Sequence, residues 1–174
     1  MRSGARQLDV SVPDPLFVAE PVAAAQWYSR DTHHDPPQVG QRVAVYDLGG
    51  GTFDAAVLER TPEGFSVLAS GGINRLGGFD FDYRMFTYLG DKYVGPADPG
   101  LWHVLQSPTP GDAEIGDKRR RMQTAVRWLK EGLSSQPSLT IPLPGVRDPV
   151  LVTREELDRQ IALDVQNTVE VFVD

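Results

Sequence analysis

The spacing of apolar residues predicts β-structure in the first part of the chain. Apolar runs predict three strands, at about 42–48, 52–60 and 64–70. The link 61–64 reads Thr-Pro-Glu-Gly, which has the residues of a tight turn, so the last two strands form a predicted hairpin. Before them, proline follows Glu20 at the start of an Ala-rich stretch, which predicts a helix over 20–30 and then a polar loop over 31–40.

Helical periodicity dominates the second part. After Gly77 and Gly78, apolar residues at three- and four-residue steps predict an amphipathic helix, and the same spacing predicts a longer helix over about 112–135. The two apolar faces consist of Phe81, Met85, Phe86 and Leu89 in the first helix and of Met122, Val126, Leu129 and Leu133 in the second. Between them, the Pro- and Gly-rich stretch 91–116 contains one short predicted helix at 101–105.

Two short strands, about 138–142 and 149–152, precede a last helix. Thr153 and Glu156 form a capping box, so this helix begins there and continues to about residue 172. Strands therefore come first and helices later. This order predicts an α/β fold with a mixed sheet and a small α+β subdomain inserted at its edge.

Composition and charge exclude several classes of protein. The 174 residues carry a net charge of −7, which argues against a nucleic-acid partner, because such proteins need a basic surface. Cysteine is absent, which excludes disulfides and thiolate metal sites and is compatible with a reducing compartment. Neither a signal-peptide pattern nor a membrane-spanning apolar run is present. We expect a cytoplasmic protein with no membrane partner.

The segment 47–54, Asp-Leu-Gly-Gly-Gly-Thr-Phe-Asp, is the most informative motif. Its glycines can adopt positive φ and expose backbone N–H groups in a nest that holds phosphate oxygens. Asp47 precedes the turn, and Thr52 and Asp54 follow it. Nucleoside triphosphates with their metal need such N–H donors and hard oxygens. The alternative is a plain β-hairpin with a glycine loop, which is less favoured because such hairpins seldom carry acids on both flanks.

Five blocks in order carry a resemblance to a known family. They are 20–25 (Glu-Pro-Val-Ala-Ala-Ala), 47–54, 76–82 (Leu-Gly-Gly-Phe-Asp-Phe-Asp), 129–135 (Leu-Lys-Glu-Gly-Leu-Ser-Ser) and 151–157 (Leu-Val-Thr-Arg-Glu-Glu-Leu). Together they resemble the nucleotide-binding domain of DnaK-type, seventy-kilodalton heat-shock chaperones, which have the ribonuclease-H-like fold of actin-like ATPases. The resemblance covers nearly the whole chain from about residue 18.

The resemblance implies only the second lobe of that ATPase domain. The first lobe, with its own phosphate hairpin and catalytic lysine, has no counterpart here, nor has the later adenosine motif or the peptide-binding domain. The implied lobe core is 18–76 with about 153–174, the implied nucleotide-capping subdomain is 77–152, and 1–17 are a leader, native or in part added. The parent would hydrolyse ATP to drive an allosteric switch, whereas the fragment alone would be inactive.

The resemblance also implies roles around the glycine turn. Asp47 would hold a water of Mg²⁺ or orient the attacking water, and Glu20 would reach the same hydration shell. Gly49, Gly50 and Gly51 would donate N–H groups to the β- and γ-phosphates. Thr52 would bond the γ-phosphate, and Asp54 would help to hold a monovalent cation such as K⁺. The implied cofactors are ATP or ADP, Mg²⁺ and K⁺.

Further contacts are implied outside the turn. Gly77 and Gly78 would let the backbone approach the nucleotide. Arg127, Lys130 and Ser134 share one face of the long predicted helix, at three- and four-residue steps, and in the family this face touches the adenosine. The implied partners are the missing first lobe, a nucleotide-exchange factor and a co-chaperone.

The chain departs from the family at four positions: Arg127 stands where Glu is usual, Glu131 where several relatives have Arg, Val22 where Thr is usual, and Phe79 where an acid is common. Two rival interpretations therefore stay open. One is an actin-like ATPase of another class, a kinase or a cytoskeletal protein. The other is a degenerate regulatory module that does not hydrolyse ATP.

Three weaker signals have ordinary structural interpretations. Asp31, His33, His34 and Asp35 could bind a metal, but a His pair in a Pro-flanked loop is more often solvent-facing. The basic run 118–121 is expected to be a solvated helix face or, as the second choice, a contact for an exchange factor. Trp27, Trp102 and Trp128 are expected to pack on the lobe surface or in its core.

Overall fold

The computed structural model describes residues 17–30 and 35–172. Its strands are β1 (Arg42–Leu48), β2 (Phe53–Thr61), β3 (Gly64–Ile73), β4 (Ser138–Ile141) and β5 (Val150–Thr153). Its α-helices are α1 (Glu20–Tyr28), α2 (Gly78–Leu89), α3 (Gly95–Ala97), α4 (Pro99–Gln106), α5 (Ala113–Leu133) and α6 (Arg154–Glu170), with a π-helical turn, Gly90–Val94, between α2 and α3. Each predicted strand and helix is confirmed to within a few residues at its ends.

The larger sheet has the order β1-β2-β3, and both pairings are antiparallel. Leu48 pairs with Phe53, so residues 49–52 form the bend of the first hairpin, as predicted. The mixed sheet that the sequence analysis expects is not found among the described strands. The reason is that strands joined directly by tight turns can only run antiparallel.

Helices cover both faces of this sheet. On one face, Ala25 of α1 is buried against Ala56 and Leu58 of β2. On the other face, α6 approaches β1: the hydroxyls of Tyr46 and Thr168 lie 2.6 Å apart, and the Phe172 ring stacks on Tyr46 with centroids 5.9 Å apart. Side chains point alternately to the two faces of a strand. At the end of the sheet next to the hairpin bend, the face that α1 covers therefore carries polar side chains.

A second and larger core joins α2, α4, α5, α6 and the β4–β5 pair. Its fully buried side chains include those that the helical periodicity predicts, namely Met85, Leu89, Met122, Val126, Leu129 and Leu133. Trp102 belongs to this core, and its indole N–H donates to Asp91 at 2.8 Å. Trp27, in contrast, is 74% exposed, so the expectation that it packs is wrong. It lies on the side of α1 that faces away from the sheet.

The basic run 118–121 forms ion pairs along α5, as expected for a solvated helix face. Lys118 pairs with Glu114 at 2.7 Å, and Arg121 pairs with Asp117 at 2.7 Å. Arg119 differs, because its guanidinium donates to the carbonyls of Leu105 and Gln106 at the end of α4. That residue therefore ties two helices together.

None of the helices in the described part of the chain combines the length and apolarity that crossing a bilayer requires.

Glu156 links the start of α6 to the end of α2. Its side chain accepts hydrogen bonds from the Thr153 amide at 2.8 Å, from the Tyr88 hydroxyl at 2.6 Å and from Lys92 Nζ at 2.5 Å. The residue is only 7% exposed. Burial alone would raise the pKa of Glu156, but the bonds from Lys92, Tyr88 and Thr153 outweigh it and hold the pKa at about 2. The same carboxylate raises the pKa of Lys92.

We expect Glu156→Gln to lower the free energy of unfolding by about 1–2 kcal/mol, because Gln keeps a capping oxygen but loses the charge that Lys92 and Tyr88 bind. Because the pKa of Glu156 is lowered in the fold, its contribution is complete above the ordinary pKa of 4.5 and is lost as the pH falls toward about 2. Urea titrations at pH 7 and pH 3 measure both effects. Glu155→Gln, at the exposed neighbour, is the control, and equal losses in the two variants would contradict the assignment.

Candidate functional site

The bend between β1 and β2 leaves three consecutive amides unused. The Gly49 N–H closes the bend by donating to the Thr52 carbonyl at 2.9 Å. The N–H groups of Gly50, Gly51 and Thr52 donate to no acceptor in the part of the chain that the structure describes. Consecutive free amides that large side chains do not cover can provide donors for an anion. We call residues 49–52 the glycine turn.

Positive φ is not what the glycine turn requires. Its glycines are free to adopt positive φ, but the described glycines with positive φ lie elsewhere, for example Gly40 and Gly145. The requirement is space: a Cβ atom at Gly50 would lie 3.0 Å from the Phe79 ring, and one at Gly49 would lie 3.3 Å from the Thr52 carbonyl oxygen. The glycines therefore allow close packing around the turn.

The start of α2 packs directly on the glycine turn. The amides of Gly78 and Phe79 donate to the carbonyls of Gly49 and Gly50, at 2.9 and 2.7 Å. Gly77 is extended, so its backbone is unstrained, but a Cβ atom there would lie 2.6 Å from the backbone of Gly50 and Gly51. Thus Gly77 and Gly78 bring helix and turn together. The expectation that they also approach a nucleotide stays a prediction.

Three carboxylates lie on the α1 side of the sheet next to the turn. Asp47 and Asp54 are direct partners across the β1–β2 pair, and Glu20 begins α1. All three line one cleft of about 360 Å³, which Pro21 and Ser70 also line. Like charges directly opposite each other on a sheet are destabilising, so this arrangement favours a bound cation.

The geometry limits how a cation could be held. Within residues 17–30 and 35–172, no three acidic or histidine side chains are close enough together to coordinate a metal directly. The carboxylates therefore suit a hydrated cation, held through its water, which agrees with the ligands that Mg²⁺ prefers. Of the four residues in the alternative loop site, Asp31, His33 and His34 lie outside the described residues, so that hypothesis is not tested.

The predicted face of α5 is only partly assembled near the turn. Lys130 Nζ lies 2.7 Å from Asp82 and donates to the Gly78 carbonyl at 2.8 Å, so it ties α5 to the start of α2. Arg127 Nε lies 3.8 Å from the same Asp82. Ser134 is exposed at the end of α5, where its hydroxyl donates to the Glu131 carbonyl at 2.6 Å. The structure brings Arg127 and Lys130 to the start of α2, which packs on the turn, whereas Ser134 bonds within its own helix.

Two residues of this region were not predicted as site residues. Asp82 is the partner of Lys130, and the Phe79 ring lies between the glycine turn and Arg127. Both belong to the 76–82 block, and Phe79 stands out in the sequence as an apolar residue at a helix start. In the sequence, the signal for Phe79 is an aromatic residue directly after two glycines.

Comparison with known proteins identifies the family. A family model described as Hsp70 protein matches residues 16–162, so the chain belongs to the Hsp70 family. The family resemblance drawn from the sequence is confirmed. Membership implies an actin-like ATPase fold, with which the combination of helices and small sheets agrees.

A comparison with an individual protein shows how much of its length the chain matches. The chain is 40% identical over 128 residues to the chaperone protein HscA homolog of Burkholderia lata. The match includes 72% of this chain and 18% of that relative, so the chain spans about a fifth of the length of the relative it matches.

The contact between Gly77 and the glycine turn can be tested by adding one methyl group. We expect Gly77→Ala to cost about 2–3 kcal/mol of stability, because the new Cβ meets backbone that cannot rotate away. Gly78→Ala is the matched control, since the nearest atom to its Cβ would be the flexible end of Lys130, at 3.2 Å, and the nearest backbone atom would be at 3.8 Å. Chemical denaturation of both variants measures the difference. A neutral Gly77→Ala variant would contradict the close packing.

Proposed function

We propose that this chain is the second lobe of the ATPase domain of an Hsp70-type chaperone, whose parent protein binds and hydrolyses Mg·ATP to drive an allosteric switch. The observation that carries this proposal is the row of free amides at Gly50, Gly51 and Thr52, between Asp47 and Asp54. Backbone donors for an anion thus lie next to carboxylates suited to a hydrated cation, as phosphoryl transfer requires.

The proposed lobe has two parts. Residues 18–76 with about 153–174 form its core, and residues 77–152 form a smaller subdomain that caps the nucleotide. The apolar clusters follow this division in part: one surrounds Phe53 and Ala55 in the sheet and also includes Phe81 of α2, and the other surrounds Leu129 and Leu133 of α5. Residues of α6 contribute to both clusters, so this helix would connect the two parts.

The proposed chemistry divides among the turn and its neighbours. The amides of the glycine turn would bind the β- and γ-phosphate oxygens, and the Thr52 hydroxyl would donate to the γ-phosphate. Asp47 would orient the attacking water, and Glu20 and Asp54 would hold waters of the cations. Mg²⁺, when bound, would neutralise phosphate charge, and K⁺ would assist near Asp54. The partners would be the first lobe, a nucleotide-exchange factor and a co-chaperone.

A regulatory module that binds without hydrolysis is the second candidate. The observation in its favour is that Lys130, an expected nucleotide contact, is already bonded to Asp82 and Gly78. Recognition of the adenosine is therefore less well supported than recognition of the phosphates. Turnover measurements on the longer protein separate the two candidates. An actin-like ATPase of another class is disfavoured by the match to the Hsp70 model.

In the full-length protein, we expect Asp47→Asn to slow ATP hydrolysis at least about tenfold while the Kd for ATP changes less than about threefold, because the substitution disturbs water and metal more than phosphate contact. Thr52→Val should likewise reduce turnover more than affinity. Single-turnover hydrolysis and equilibrium binding measure the two quantities separately. Asp158→Asn, on the exposed part of α6, is the control. Hydrolysis at the wild-type rate in both site variants would remove these residues from the mechanism.

The 174-residue chain alone is expected to bind Mg·ATP only in the millimolar range and to release no phosphate. The physical reason is that this lobe would form one wall of the cleft, so phosphate and metal would remain in bulk water, where each interaction is weaker. Calorimetric titration and a phosphate-release assay provide the test. Micromolar affinity with steady turnover would show that the chain contains a complete site.

A further inference from the structure

A groove of about 550 Å³ runs between α2 and α5. Aromatic side chains and arginines line most of it, while Asp82 is its one acidic lining residue. Phe79 of α2 and Arg127 of α5 line it, and so does the exposed Tyr83 of α2. The groove is thus locally basic in a protein whose net charge is −7.

Phe79 joins this groove to the glycine turn. Its ring is 58% exposed and belongs to none of the buried clusters, so burial does not explain an aromatic residue at this position. The ring instead lies against the turn, since a Cβ atom at Gly50 would be 3.0 Å from it and one at Gly51 would be 3.8 Å from it. The Phe79 amide also donates to the Gly50 carbonyl.

Arg127 lies next to the Phe79 ring, and its hydrogen-bond donors are unused among the described residues. Its Cζ lies 5.5 Å from the centroid of the Phe79 ring, a cation–π distance. Its Nε lies 3.8 Å from Asp82 and 3.9 Å from Glu131, beyond hydrogen-bond length, and the side chain is 54% exposed. Within the described residues, the guanidinium donates no hydrogen bond. It is therefore held in place while its N–H groups stay available.

We infer that Phe79 is a positioning residue, which holds Arg127 beside the glycine turn so that the guanidinium binds the phosphate chain of a ligand anchored on the turn amides. This inference rests on the proposed function and adds to it a residue, Phe79, and a changed role for Arg127. The family resemblance implies a nucleoside contact for Arg127, whereas the geometry points to the phosphates.

Chemistry favours phosphate over the base as the partner of Arg127. A guanidinium has a planar set of N–H donors that can bind two phosphate oxygens at once. It has no hydrogen-bond acceptor, so it cannot bind the N–H donors of a base. The Lys130 and Ser134 side chains would have to bind a nucleoside together with Arg127. They instead donate hydrogen bonds to the carbonyls of Gly78 and Glu131. Stacking on Phe79 limits the rotation of the Arg127 side chain, which lowers the entropy lost when it binds.

The test uses inorganic tripolyphosphate, which has no base, with the ¹⁵N-labelled 174-residue chain at low salt. The amide shifts of Gly50 and Gly51 report binding at the turn. The variants are Arg127→Met, Phe79→Leu, Phe79→Tyr and the double variant Arg127→Met with Phe79→Leu. Tyr83→Leu is the matched control, because Tyr83 is an exposed aromatic residue of the same groove. Adenosine is titrated separately to report any contact with the base.

We expect Arg127→Met to weaken tripolyphosphate binding about three- to fivefold and Phe79→Leu about twofold, the size of partly exposed charge interactions. The double variant should be no weaker than Arg127→Met, because Phe79 acts through Arg127. Phe79→Tyr should keep the wild-type affinity, since an aromatic face is retained, and Tyr83→Leu should match wild type. Added salt should reduce the effect of Arg127→Met.

Two outcomes would overturn the inference alone. In one, turn amides shift in the wild type but Arg127→Met binds tripolyphosphate equally well and loses adenosine instead. In the other, Phe79→Leu weakens tripolyphosphate binding by the same factor in the Arg127→Met background as in the wild type. Phe79 would then act on the turn and not through Arg127. If tripolyphosphate moves no turn amide in the wild type, the phosphate role of the turn is wrong and the inference fails with it.

Discussion

The site depends on one packing contact, that of the start of α2 against the glycine turn. Two amides of α2 donate to the carbonyls of Gly49 and Gly50, and Gly77 approaches the turn so closely that no side chain fits there. Because those carbonyls are directed to the helix, the following amides of the turn stay free for an anion. A helix start often binds anions itself, but here its first donors are used by the turn, and the turn provides the donors instead.

A second layer of interactions holds α2 in that position. Lys130 of α5 reaches the Gly78 carbonyl and Asp82, and Glu156 of α6 binds Tyr88 and Lys92 at the other end of α2. Both contacts are charge-assisted and partly buried, so they fix geometry more than they add stability. The two contacts therefore tie both ends of α2 to the neighbouring helices α5 and α6.

Much of the fold could be predicted from local patterns. The strands around the glycine turn, the helical face of α5 and the capping box at Thr153 each follow from residues close together in the sequence. The contacts between helices could not be predicted in this way. Lys130 and Gly78 are 52 residues apart, and nothing in the spacing of either segment indicates that they meet. The contact of Lys130 with Asp82 and Gly78 was not predictable for the same reason: a helix face shows which side chains lie together, but not which partner they contact.

The departures from the family are best understood together rather than as separate losses. An aromatic residue at position 79 and an arginine at position 127 contact each other, and the same aromatic ring contacts the glycine turn. An acid at position 79 would pair with the arginine, whereas a neutral ring leaves the guanidinium with its two long ion pairs, at 3.8 Å to Asp82 and 3.9 Å to Glu131. Electrostatic attraction between a partly exposed cation and a polyanion is long-ranged compared with a hydrogen bond, so it acts even when the ligand is incompletely enclosed. Under the proposed assignment, the two residues together would strengthen phosphate binding beside the turn, where Lys130 is already paired with Asp82.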